Sequence, residues 1–206
     1  LPYFIFTGQP DYMKDEMFVQ SYGEFYIKGD DNEKLITDII SACEKHPEIQ
    51  ARKSFPEAFL VFDKGIIDKS YEHLLIEIIT AYENQDYRKK NLTVQRDLLE
   101  AIFKSLNNPV PCIPTVFFDV RKKNNPNLES CTRFMEDRDS SGHKLNKAVP
   151  QSIKSAFRKL KESTSEYSHL SDEVKLKIPF LANTFLLMEV LEWLPNFVKS
   201  NYPNCI

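Results

Sequence analysis

Short β-favouring apolar runs alternate with stretches of helical periodicity along the first 120 residues, and this alternation constrains the fold more than any other feature. The runs are "YFIF" (3–6), "GEFYIKG" (23–29), "AFLVF" (58–62) and "CIPTVFFDV" (112–120). A short helix is predicted over 12–21. Asp30 and Glu33 have capping-box spacing, and Leu35, Ile36, Ile39, Ile40 and Cys43 follow on one helical face. Tyr71, Leu74, Leu75, Ile78, Ile79 and Tyr82 predict a helix over 70–83. Leu98, Leu99, Ile102, Phe103 and Leu106 predict another, opened by Thr93. Strands that alternate with helices, and are apolar throughout rather than at every second residue, point to strands covered on both faces. The expected fold is α/β, a mostly parallel sheet flanked by helices in three layers (α/β/α), with a helical C-terminal extension.

The character changes after Arg121. Residues 128–150 read as a polar linker or loop, which bounds an α/β domain over 1–127 and an extension over 151–206 that packs on it. Within the extension, Ile153, Ala156, Phe157 and Leu160 form the apolar stripe of a helix whose other face is Lys154, Arg158, Lys159 and Lys161. Residues 180–194 are apolar almost all round. Met188 and Trp193 there have the composition of binding hot spots, so this helix is expected either in the core or against a partner.

Charge is uneven. Residues 1–100 hold 12 Lys/Arg against 19 Asp/Glu, and residues 101–206 hold 15 against 11. The basic stretch 144–161 is where an anionic partner, nucleic acid or a membrane surface, would bind. The ordinary alternative is a solvated helix face. No apolar run reaches the roughly 18 residues of a membrane span, so no transmembrane segment is expected. No signal-peptide pattern follows Leu1, and the absent initiator Met fits a processed or partial chain. Cys43, Cys112, Cys131 and Cys205 are widely spaced without a C-x-x-C pair, which argues for reduced thiols in an intracellular, cytoplasmic protein. Asn91-Leu92-Thr93 is a formal glycosylation triplet.

In open parallel sheets, ligands bind beyond the carboxyl ends of the strands. On the expected fold Asp63 and Asp119 lie there. Two such carboxylates can share Mg2+ or Mn2+, or divide acid and base roles, with Lys64, Arg121 and Lys122 binding a phosphate. That is the enzymatic alternative, a metal-dependent phosphate-ester hydrolase or nuclease. Against it, an Asp at a strand end commonly caps the next helix, and no third carboxylate or Gly-rich loop supports it. The four His and four Cys form no nucleophile–base motif.

The order of elements resembles the caspase-like fold. "AFLVFDKG" resembles the strand that in that family ends in the catalytic His-Gly. "LLEAIFKSLNNPVPCIPTVFFDVRK" resembles the helix, loop and strand that lead to the nucleophile, and "KIPFLANTFLLM" the entry to the small subunit. Asp63-Lys64 stands before Gly65 without a His, and Val120 occupies the place of a nucleophilic Cys. The resemblance therefore implies a protease-dead relative that acts by binding. With no catalytic motif in the sequence, the expected function is a non-catalytic protein-interaction or regulatory domain, of which a pseudoenzyme is one form, with a protein partner and no cofactor.

Overall fold

The computed structural model describes residues 4–8, 25–119, 124–138, 142–167 and 169–205. Of these, 65% are helical and 7% strand, in two small sheets. This overturns the three-layer α/β/α expectation: the chain is mainly helical, and its described strands are two isolated pairs. The chain forms two compact units, Leu1–Gln50 and Ala51–Ile206.

In the first unit, strands β1 (Ile5–Thr7) and β2 (Phe25–Ile27) pair in parallel with Ile5 opposite Phe25. The helix predicted over 12–21 lies outside the described residues. Helix α1 (Asn32–Glu44) carries the predicted apolar face but buries none of its residues. Its start differs from the predicted capping box. Asp31 is the N-cap and makes no side-chain cap bond, because its carboxylate accepts from Ile27 N at 2.9 Å and ties the helix start to β2.

The second unit begins within α2 (Pro47–Ser54) and continues through α3 (Pro56–Asp63), α4 (Glu72–Glu83), α5 (Lys89–Ser105), α6 (Leu128–Met135), α7 (Gln151–Glu166) and α8 (Lys177–Asn201). The run "AFLVF" is therefore part of α3, not a strand. Pro56 sits at the helix N-terminus, where its missing N–H costs nothing, and Glu57 lies in the first turn near the positive end of the dipole. Ala58, Phe59, Val61 and Phe62 are all buried. A helix covered on both sides needs no polar stripe, so its sequence looks like that of a buried strand.

The run at 112–120 is corrected likewise. Among its described residues Thr115–Phe117 forms a 3-10 turn, and the strand is reduced to β3 (Phe118–Asp119), which pairs antiparallel with β4 (Asn125–Pro126). The predicted helices over 70–83 and near 98–106 are α4 and α5, with α5 starting at Lys89 instead of Thr93. The polar region 128–150 holds α6, which buries Leu128, Cys131, Thr132, Phe134 and Met135.

Helix α8 organises this unit. It packs against α3, α4, α5 and α7 and buries Phe180, Leu187, Met188, Val190, Leu191, Leu194, Phe197 and Val198. By length and mean hydropathy it passes for a membrane span, with half of that stretch buried. Its polar residues are fitted to a protein interior. Gln95 Nε2 donates to Phe180 O at 3.0 Å and to Thr184 Oγ1 at 2.9 Å, and Thr184 Oγ1 donates to Phe180 O at 2.9 Å. This buried junction fixes the register of α8 on α5, since a slip would strand polar groups away from water. Phe103 of α5 stacks on Phe157 of α7 at 5.2 Å, and Trp193 meets Phe157 edge-on at 6.4 Å.

Candidate functional site

The inward residues of α8 determine what remains on its outside. Ile178, Leu181, Ala182 and Phe185 follow i, i+3, i+4, i+7 spacing and share one stripe. Ile178 is 72% exposed and Phe185 52%, both far above the norm for such side chains in a helix that is otherwise core. The stripe continues across two neighbouring segments. Phe185 meets Tyr82 of α4 edge-on at 5.8 Å, and Tyr82 meets Phe55, at the start of α3, edge-on at 6.1 Å. Ser54 Oγ donates to Glu83 Oε1 at 3.0 Å on the Phe55–Tyr82 side, and exposed Glu189 stands one turn beyond Phe185. The result is an aromatic and aliphatic strip with carboxylates at its edge.

The first unit has an apolar surface of its own. Ile36, Ile39 and Ile40 of α1 are exposed, and Ile39, Ala42 and Cys43 line a groove with Phe4, His46 and Ile49.

The residues singled out from the sequence fall elsewhere. Met188 is 4% exposed, and half-buried Trp193 packs on Phe197 at 4.5 Å as well as on Phe157. Their hot-spot composition is spent on the core of this chain. Asp63 ends α3, not a strand, and Arg52 Nη1 donates to both of its carboxylate oxygens, at 3.1 and 3.2 Å. Lys64 is the exposed C-cap of the same helix. Asp119 lies in β3 opposite Asn125. Arg121 and Lys122 lie outside the described residues. With Asp63 on a helix end, the strand-tip argument that joined it to Asp119 no longer applies. Among the described residues no cluster of three or more His, Cys, Asp or Glu side chains is arranged to hold a metal ion.

Three of the six cations in the basic stretch 144–161 pair with carboxylates of this chain. Lys154 pairs with Asp137 at 2.7 Å, Arg158 with Glu136, and Lys161 with Glu129, which also pairs with Arg133 at 3.2 Å. The hydrogen bond from Lys161 holds the Glu129 carboxyl below its ordinary pKa, aided by the charges of Lys161 and Arg133 and opposed by burial. Three cations of α7 thus meet Glu129 of α6 and the carboxylates of Glu136 and Asp137 just beyond its end. The sequence signal for that was present: Asn127 accepts from Ser130 N at 3.1 Å as a true N-cap, and Leu128, Cys131, Thr132 and Met135 have helical spacing.

The glycosylation triplet lies inside α5. Asn91 is buried, and its Nδ2 donates to Asp86 O at 2.6 Å.

Fold and surface together define, in the second unit, a helical domain that presents an apolar strip. No family model, curated protein or solved structure matches this chain. The resemblance to the caspase-like fold neither gains nor loses by these comparisons.

Proposed function

We propose that this chain is a protein-interaction domain that acts without catalysis, and that its binding surface is the outer strip of α8 with Tyr82 and Phe55. The observation that carries this reading is the exposure of Ile178 and Phe185 on the helix whose other face supplies Phe180, Leu187, Leu191 and Leu194 to the core. Exposed apolar groups aligned over two turns and prolonged by an aromatic ladder cost solvation free energy until a partner covers them. Two turns span about 10 Å, enough for the i, i+3, i+4, i+7 anchors of one amphipathic partner helix to lie across the strip.

The test is site-specific photocrosslinking in the source cells. A benzophenone side chain at position 185 is expected to trap one protein of defined mass. The same group at Lys159, exposed on α7, is expected not to trap it, and the Ile178→Asp variant should lose the adduct while keeping its circular dichroism and melting temperature. Identical adducts from both positions, or an adduct that survives Ile178→Asp, would sink the reading. Sedimentation of the purified protein checks the competing occupant, a second copy: a monomer at micromolar concentration leaves the strip for a different chain.

A further inference from the structure

We propose that the pocket between α6 and α7 binds a phosphate group, as inorganic phosphate or as the phosphoryl end of a small phosphate monoester. The pocket has a volume of about 280 Å3, at the small end for ligand sites. Three segments bring cations to it: Arg133 from α6, Arg138 from the turn that follows, and Arg158 and Lys161 from α7. Local structure explains their placement. Arg158 and Lys161 are three residues apart and share one face of α7. Arg138 is folded back onto the end of α6 by a Schellman-type turn. Its N–H donates to Arg133 O at 2.8 Å and that of Asp137 to Phe134 O at 3.1 Å, with Asp137 at φ 57°.

Ion pairs orient these cations without using up their donors. Glu136 accepts from Nη2 of Arg158, and Glu129 from Nε of Arg133 and Nζ of Lys161. Each guanidinium keeps further N–H donors after one such contact. Arg138 makes no ion pair among the described residues. Four cations against three carboxylates, the third being Glu162, leave the lining net positive. A second, independent observation lies at the floor. Thr132 is 2% exposed, and its hydroxyl has no hydrogen-bond partner among the described residues. Thr164 and Thr184, buried in α7 and α8, each donate to the carbonyl four residues earlier, and Thr132 does not. A buried hydroxyl without a partner is unfavourable until an acceptor reaches it. Thr132 shares a stripe of α6 and its C-cap with Glu129 and Glu136, the two carboxylates that hold Lys161 and Arg158. An oxygen of a phosphate seated on Arg133 and Arg158 accepts from this hydroxyl, and its other oxygens accept from Arg138 and Lys161. Donors from three segments suit a tetrahedral oxyanion better than a planar carboxylate, which one guanidinium fork satisfies. Glu162 on the rim repels a second anionic group and accepts from a hydroxyl of the ester. This favours a single phosphate over a polyanion such as nucleic acid.

The experiment is isothermal titration calorimetry of the full chain with inorganic phosphate and, separately, with glycerol 3-phosphate. Chloride at matched ionic strength is the control for screening. The expected result is saturable binding at a single site, accompanied by a raised melting temperature. Arg138→Ala and Thr132→Val should each weaken it by roughly tenfold or more. Thr132→Val removes an unpartnered hydroxyl and keeps the side-chain shape, so without phosphate it should melt no lower than the wild type. Loss of binding in that variant is then not loss of folding. Lys159→Ala, at an exposed cation of α7 outside the pocket, should bind as the wild type does. Tighter binding of glycerol 3-phosphate assigns the monoester as ligand, and equal or tighter binding of inorganic phosphate assigns the free ion. Absence of saturable binding at millimolar phosphate and ester overturns the proposal. So does an affinity unchanged in either Arg138→Ala or Thr132→Val, or an equal loss in Lys159→Ala.

Discussion

Arg52 shows how one side chain joins three helices, and why a carboxylate can be conspicuous in sequence for a structural reason. From α2 it reaches Asp63 of α3 and Glu72 of α4, and its guanidinium lies 4.7 Å from the Phe59 ring centroid. Glu72 is 5% exposed, and its Oε2 has no hydrogen-bond partner among the described residues. Removing Arg52 would leave that buried charge unpaired, whereas removing Asp63 breaks only a pair near the surface. Urea denaturation should show Arg52→Ala losing about 3 kcal/mol and Asp63→Ala less than about 1. Equal losses would mean that Asp63 does more than hold Arg52. The role of Asp63 was not legible in "AFLVFDKG", because its partner lies 11 residues upstream on another helix. Asp31 makes the same point: it has the residue type of a cap, and the tertiary structure gives its oxygen to β2.

At the scale of elements, two loops clamp the start of α5 to the approach to α8. Lys89 N donates to Val174 O at 2.8 Å and Leu176 N to Tyr87 O at 2.8 Å, while Lys89 pairs with Asp172 at 3.0 Å. Arg88 bridges Asp86, at 2.6 Å, and Glu173, at 3.4 Å. The hydrogen bond from Arg88 holds the Asp86 carboxyl far below its ordinary value, with burial opposing and Asn91 assisting. A depressed folded-state pKa stabilises the fold above the unfolded value of about 4, and the contribution is lost as pH falls toward the lower folded value. Stability measured by urea at stepped pH should therefore drop below about pH 4, and Asp86→Asn should flatten that acid limb. An unchanged slope would place the acid sensitivity in other carboxylates. The elements also show which patterns a sequence discloses. α4 and α5 have one wet face and one dry face, so their period is visible. α3 is dry on nearly every side, and its five-residue apolar run has no period to read.

For the whole molecule, α8 separates core from surface within a single helix. Leu191→Ala, at a fully buried position, should cost about 2–5 kcal/mol, while Ile178→Ala, on the strip, should stay within about 0.5. Thermal and urea melts of the two variants check this, and a large loss at Ile178 would mean that the strip is covered by the chain itself. The second unit has its own continuous core from Ala51 to Val198. A chain beginning at Pro47, which keeps α2 whole, should unfold in one cooperative transition with the melting temperature of the full protein within a few degrees. A broad or strongly lowered transition would show that the first 46 residues complete that core.

The sequence by itself determined where most helices of the second unit run, that enough apolar mass exists for a core, and that no contiguous catalytic motif is present. These follow from local periodicity, composition and spacing, which need no knowledge of neighbours. Only the tertiary structure decided that residues 58–62 are helical, that Met188 and Trp193 face inward while Ile178 and Phe185 face out, and that Lys154, Arg158 and Lys161 pair with Asp137, Glu136 and Glu129. Each of those outcomes depends on which distant segment covers a side chain, and burial and pairing across tens of residues leave no periodic trace in the chain that carries them.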